Sequence, residues 1–169
     1  MLADLKILFE ADKQFSAPVS WKVRDDNWML LVSPLDINGV TIEGLKFRGT
    51  ARRDRPDEQV TFQLEYFPTN GKYKGGPFSR IDWNPMRPHT NKMIGPVEHQ
   101  NILQFGSHNH EFRLNWEHNE RHVRGGVLPI STPISPDFNY NEIVAFVGKE
   151  FRISNIHWLP IPEWSETLF

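Results

Sequence analysis

His108-Asn109-His110 is the pattern in this chain with the most direct chemical consequence, and six of the seven histidines fall between Phe78 and His122. Residues two apart on a strand share a face and lie about 6.6 Å apart, so the His108 and His110 imidazoles can converge on one ion or one substrate. Upstream, Phe78-Ser79-Arg80-Ile81-Asp82-Trp83 alternates, which groups Arg80 and Asp82 with Phe78 on one face and leaves Ser79, Ile81 and Trp83 on the other. Residues 107–115 alternate too, with His108 and His110 in phase with Phe112 and Leu114, so the expectation is that the histidines point into the core. A polar pair there must be hydrogen-bonded, coordinated or lining a cavity, because an unsatisfied buried polar group costs about 2–7 kcal/mol.

Three kinds of chemistry fit these residue types. In the first, His108 and His110 hold a divalent metal with His89 or His99 as a third ligand and Asp82 as a carboxylate partner, leaving an open position for water. In the second there is no metal. His108 and His110 divide general acid and base roles, Asp82 holds one of them protonated, and Arg80 binds a phosphate. Lys72 and Lys74 in the glycine-rich loop 68–77 add phosphate contacts, His89 borders the site and Trp83 stacks on a base, a set suited to RNA cleavage through the 2′-hydroxyl. In the third, the histidines are satisfied by carbonyls or carboxylates and the chain is a non-enzymatic binding or assembly protein. The spacing disfavours a cupin site, since Leu114 stands four residues after His110 where a glutamate is needed.

The elements that must position these residues are read from periodicity. Residues 1–14 place Leu2, Leu5, Leu8 and Phe9 on one helical stripe, predicting an N-terminal helix. Strands are expected at Val19–Val23 and Trp28–Val32, then, after the Asn38-Gly39 turn, at Val40–Thr50, and again at Gln59–Phe67, 78–83 and 107–115. Residues 84–96, with three prolines and a glycine, should be irregular, and Glu117–His122 reads as an exposed polar connection. A C-terminal helix is expected after Asp137 or Asn139, with Ile143, Val147 and Phe151 as its buried stripe, followed by an extended tail from Ile153 to Pro162. The expected fold is α+β, mainly an antiparallel sheet of about six strands with a helix at each end, in a single domain spanning 1–169.

Composition narrows the partners. Hydrophobic content of 38% and aromatic content of 12% suffice for one core, and no apolar run reaches the length of a membrane span. The first residues carry no basic segment followed by an apolar one, so a cytoplasmic location without a membrane partner is expected. With no cysteine, thiolate metal sites are excluded. A net charge of −2 disfavours a generally basic nucleic-acid binder, but Lys72, Lys74, Arg80, Arg87 and Lys92 face only Asp82 between residues 70 and 95, so an anionic ligand can be held locally.

Arg80-Ile81-Asp82, followed by His89, Asn91 and His108-x-His110-x-Phe112, resembles small bacterial α+β proteins of the TumE-like toxin type over residues 78–114. The resemblance implies an RNA-directed, toxin-like activity with an antitoxin partner, carried by Arg80, Asp82, His89, His108 and His110. Trp83-Asn84-Pro85 and the extension beyond Gly125 depart from that pattern.

Overall fold

The computed structural model describes residues 4–69 and 73–165. In chain order its elements are α1 (Leu5–Glu10), β1 (Lys13–Phe15), β2 (Lys22–Val23), β3 (Trp28–Ile37), β4 (Val40–Arg52), β5 (Val60–Tyr66) and β6 (Gly76–Trp83). There follow β7 (His108–His110), α2 (Phe112–Arg124), β8 (Thr132–Pro133) and α3 (Tyr140–Phe151), with short 3-10 turns at Val97–His99 and Ile156–Trp158. The fold is α+β, as expected, but the antiparallel sheet has eight strands where about six are predicted, in the order β1-β3-β4-β5-β6-β7-β8 with β2 also on β3. The additional strands are two or three residues long, below the length at which alternation can be recognised.

The β3–β4 hairpin turns at Asn38 and Gly39, whose φ of 52° and 76° match the twist of the flanking strands. One face of the sheet carries the core. Phe47 and Leu64, Phe62 and Ile81, and Val60 and Trp83 stand as cross-strand pairs on that face, and all six are buried. α3 covers it with Ile143, Val147 and Phe151, Phe151 meeting Phe47 edge-on at 6.3 Å. A full capping box starts α3: the Asn139 side chain accepts from the Glu142 N–H at 3.0 Å, and Glu142 accepts from the Asn139 N–H at 2.8 Å. The opposite face is polar, with the rows Thr50–Thr61–Asp82–His108 and Arg48–Gln63–Arg80–His110 running across β4 to β7.

Three expectations change here. The 107–115 strand ends at His110, because α2 begins at Phe112 and takes Phe112 and Asn115 into the interior at helical spacing. The strand parity that links the histidines to Phe112 and Leu114 therefore lapses, and His108 and His110 lie on the polar face, opposite Ile81 and Asn109. The expected polar connection at 117–122 belongs to α2, kinked at Asn119, whose side chain caps the second half by accepting from the His122 N–H at 3.2 Å. The tail after Ile153 forms a 3-10 turn and receives the Trp21 indole N–H and the Tyr140 hydroxyl on Pro160 O, both at 2.8 Å.

No helix among the described residues is long and apolar enough to cross a membrane. Residues 1–3 of the predicted N-terminal helix lie outside the described part; the rest shortens to Leu5–Glu10, with Leu5 and Leu8 buried. So short a helix leaves most of its carbonyls without intrahelical partners. Lys13, 1% exposed, answers this by donating from Nζ to Leu8 O at 2.8 Å, Phe9 O at 2.9 Å and Ala11 O at 2.6 Å. Burial and then the Arg152 charge push its ammonium down to about 7, while Asp12 acts the other way. Three carbonyls require three N–H donors, which only the charged form supplies. Lys13→Met keeps the aliphatic stem and removes these donors, and should cost about 2–4 kcal/mol in a urea titration. An unchanged midpoint would show that α1 is anchored without it.

Candidate metal centre

The β6–β7 register sets Arg80 opposite His110 and Asp82 opposite His108 on the polar face of the sheet. All but Arg80 are withdrawn from solvent, with Asp82 3%, His108 3% and His110 4% exposed. The cover is the segment between β6 and β7, clasped at its ends where Asn84 N donates to Ser107 Oγ at 3.0 Å. This segment buries the amides of Asn91 and Gln104 and leaves Met86, Met93, Val97, Ile102, Leu103 and Phe105 exposed. A two-way backbone bridge between His89 and Gln104, at 3.0 and 2.7 Å, brings His89 over the pair. The three rings then lie 4.9–5.3 Å apart between centroids.

Two of the ring orientations are set by one run, residues 128–131, whose four consecutive carbonyls all accept from side chains. Leu128 O accepts from His110 Nδ1 at 2.7 Å, and Pro129 O from His89 Nε2 at 3.3 Å. Ile130 O accepts from Asn115 at 2.8 Å, and Ser131 O from Asn91 at 2.9 Å and Gln104 at 3.0 Å. Asn115 and Asn91 each also accept the N–H of the residue whose carbonyl they bind, at 2.9 Å, so both amides are oriented unambiguously. His108 Nδ1 donates to Gly106 O at 3.0 Å. Carbonyls only accept, so Nδ1 of His108 and His110 and Nε2 of His89 carry hydrogen. In the neutral rings the lone pairs are therefore Nε2 of His108 and His110 and Nδ1 of His89.

Two of these nitrogens, Nε2 of His108 and of His110, stand beside a carboxylate oxygen. Asp82 Oδ1 accepts from Thr61 Oγ1 at 2.7 Å and from Arg80 Nε at 3.0 Å. Arg80 Nε lies 2.8 Å from Oδ2 as well, but its single N–H is aimed at Oδ1 and Oδ2 is buried without a hydrogen-bond donor. His108 Nε2 stands 3.3 Å and His110 Nε2 3.5 Å from that oxygen. Burial works against the charged form of Asp82, but the two histidines beside it and the Arg80 charge prevail and hold its carboxyl well below the usual range. Burial in turn lowers His110 beyond what Asp82 restores, and burial with the neighbouring His110 and His108 lowers His89. The centre is thus an ionised carboxylate whose Oδ2 lies between the Nε2 atoms of His108 and His110, with burial favouring the neutral form of His110 and His89.

A cation would be held by the three histidines, with Asp82 Oδ2 beside two of them. Ligands bound at about 2.0–2.1 Å in tetrahedral geometry are separated by about 3.4 Å, close to the observed spacing of Oδ2 from the two Nε2 atoms. One ligating atom from each of His89, His108 and His110 can be chosen so that all lie within 4.8 Å of one another. The carbonyl bound to the second nitrogen of each ring is the arrangement that orients metal-bound histidines. The centre opens into a cavity of about 380 Å³ that Thr61, Arg80, Arg87 and Leu128 also line.

Of the other residues singled out in the sequence, Trp83 is corrected. It is 1% exposed on the core face and donates from Nε1 to Phe138 O at 3.2 Å, which removes it from base stacking. His99 sits in the 3-10 turn, outside the three-histidine cluster, and contributes its carbonyl to Asn91. Lys74 is exposed and does not line the cavity, and Lys72 lies outside the described residues. Sequence reasoning missed Thr61, Gln104, Asn115 and the 128–131 carbonyls. The available signal was an amide among apolar neighbours, as in Leu114-Asn115-Trp116.

No protein-family model, curated protein or solved structure matches this chain.

Asn91 holds Ser131 at both backbone groups and accepts from His89 Nε2 at 3.1 Å. Asn91→Ala should therefore cost about 2–4 kcal/mol. It should also accelerate hydrogen exchange at the Ser131 amide. If exchange there matches the unaltered chain, the segment is held by other contacts.

Proposed function

We propose that this chain is a metal-dependent hydrolase directed at phosphoesters, with a divalent ion held by His89, His108 and His110 and by Asp82 Oδ2. The observation that carries this reading is the orphaned Asp82 oxygen, buried between two Nε2 atoms at 3.3 and 3.5 Å. A buried carboxylate oxygen facing two imidazole nitrogens calls for positive charge among them, supplied by a metal cation or by a proton on one ring. Three nitrogens and one oxygen suit zinc, iron, nickel or cobalt. Such an ion supplies a water whose proton affinity is lowered to near neutrality. The proton can leave through the open cavity, so no side chain of high proton affinity is needed, in keeping with the low one of Asp82. Arg80 holds Asp82 at Oδ1, and the carbonyls of Leu128, Pro129 and Gly106 orient the three imidazoles.

A second reading has one observation in its favour. His108 and His110 rings lie 5.2 Å apart beside a charged Asp82, close enough to pass protons without a metal in RNA cleavage of the toxin type, with an antitoxin as partner. The third, a binding or assembly protein with structural histidines, draws on the same carbonyl bonds.

Elemental analysis of untagged protein separates them. About one equivalent of metal is expected, lost in His108→Ala, His110→Ala and Asp82→Ala. A chelator should lower the melting temperature, since an ion at 100 times its Kd contributes about 2.7 kcal/mol. Absence of metal even after incubation with added ions would sink the metal reading. RNA cleavage by the chelated protein would then favour proton transfer between the histidines, and its absence, with histidine variants that only melt earlier, the structural role.

A further inference from the structure

Arg87 has no ion-pair partner among the described residues, yet it lines the same cavity as the histidine cluster. It stands on the covering segment, two residues before His89, and is exposed. On the opposite wall Arg80 commits Nε to Asp82, and no acceptor among the described residues meets its two terminal nitrogens. The lining therefore holds two guanidinium groups and one carboxylate, Asp82, which already faces the histidines. With a divalent ion in place the cavity has a clear surplus of positive charge. Such a cavity concentrates anions.

Size and lining narrow the anion. About 380 Å³ is at the small end of ligand sites. Apart from the histidines no aromatic side chain lines it, and Trp83 is sealed in the core, so there is no platform on which successive bases of a single strand would stack. A carboxylate has two oxygens for three cationic groups, whereas a phosphate monoester offers three unesterified oxygens and a dianionic charge, one oxygen for the ion and one for each arginine. An internucleotide diester has only two such oxygens and one charge.

We propose that the cavity takes the phosphate of a small phosphate monoester, anchored by Arg87 and by the free end of Arg80. This rests on the metal-dependent reading above and names its substrate class. The reaction is hydrolysis: water oxygen bonds to phosphorus, the ester P–O bond breaks, the alcohol leaves with a proton from solvent, and inorganic phosphate is released. Nothing is oxidised or reduced. Arg87 is the residue that sets specificity, because Arg80 has the further task of holding Asp82.

The test uses the product as its probe. Inorganic phosphate, acetate and a single-stranded RNA oligomer are titrated calorimetrically, at fixed ionic strength, into the full chain loaded with zinc, alongside Arg87→Ala and Arg87→Lys. Phosphate should bind at least about tenfold tighter than acetate. Arg87→Ala should lose about tenfold or more of that affinity with zinc content and melting temperature unchanged, and Arg87→Lys should recover part of it. Phosphate affinity indifferent to Arg87, acetate binding as tightly as phosphate, or RNA binding more tightly and independently of Arg87 would each overturn the inference. If the chain takes up no zinc, the metal reading fails by itself, and phosphate titrated into that metal-free chain still decides the anchor: binding that Arg87→Ala abolishes retains it, and no binding overturns it.

Discussion

Four carbonyls in succession, from Leu128 to Ser131, govern this structure more than any single apolar contact. An extended segment ordinarily spends its carbonyls on a neighbouring strand. Here they go to His110, His89, Asn115 and, jointly, Asn91 and Gln104. The result is a backbone run whose carbonyls are all paired and which at the same time sets the tautomer of two imidazoles. Any displacement of the run moves both rings, and α2 and the covering segment are tied to it through Asn115 and Asn91. A backbone run just outside the sheet serves as a template for side-chain orientation.

The polar face of the sheet explains why the template is needed. Asp82, His108 and His110 are nearly inaccessible but are not packed against a helix, since α3 lies on the other side with Phe47 and Phe62. Desolvating a carboxylate is expensive unless it is paired and hydrogen-bonded. Asp82 meets that demand at Oδ1 through Thr61 and Arg80 and leaves it unmet at Oδ2. Such a half-satisfied group in an otherwise well-paired surrounding is the place where function is sought.

The sequence made parity legible and depth illegible. Alternation over 78–83 groups Arg80 with Asp82, and the two-residue spacing of His108 and His110 groups the histidines; the β6–β7 register faces these pairs with one another. The face they occupy is read wrongly from sequence because Phe112 and Leu114 look like a continuation of the strand, whereas a helix starts at Phe112. Local period cannot reveal a switch of element one residue after a three-residue strand. α2 is obscured by its polarity, its buried side being Phe112, Asn115 and Val123, in which an amide stands where an apolar residue would signal the stripe. Residues 84–96 of the cover read as irregular for sound reasons, their three prolines and glycine, and the order of the cover comes from contacts 27 to 40 positions away in the chain, such as Gln104 and Asn91 on Ser131. Side-chain to backbone bonds over such distances leave no periodic trace.

The inside-out character of that cover has a thermodynamic consequence. A segment that buries amides and exposes Met93, Val97, Leu103 and Phe105 already shows water most of its apolar surface when closed. Lifting it off the sheet uncovers little new hydrocarbon, so the opening carries a small heat-capacity increment and a small denaturant dependence, unlike global unfolding of the Phe-rich core. Its equilibrium is instead governed by the enthalpy of a handful of directional bonds. Warming therefore loosens the cover progressively while the sheet beneath it stays folded.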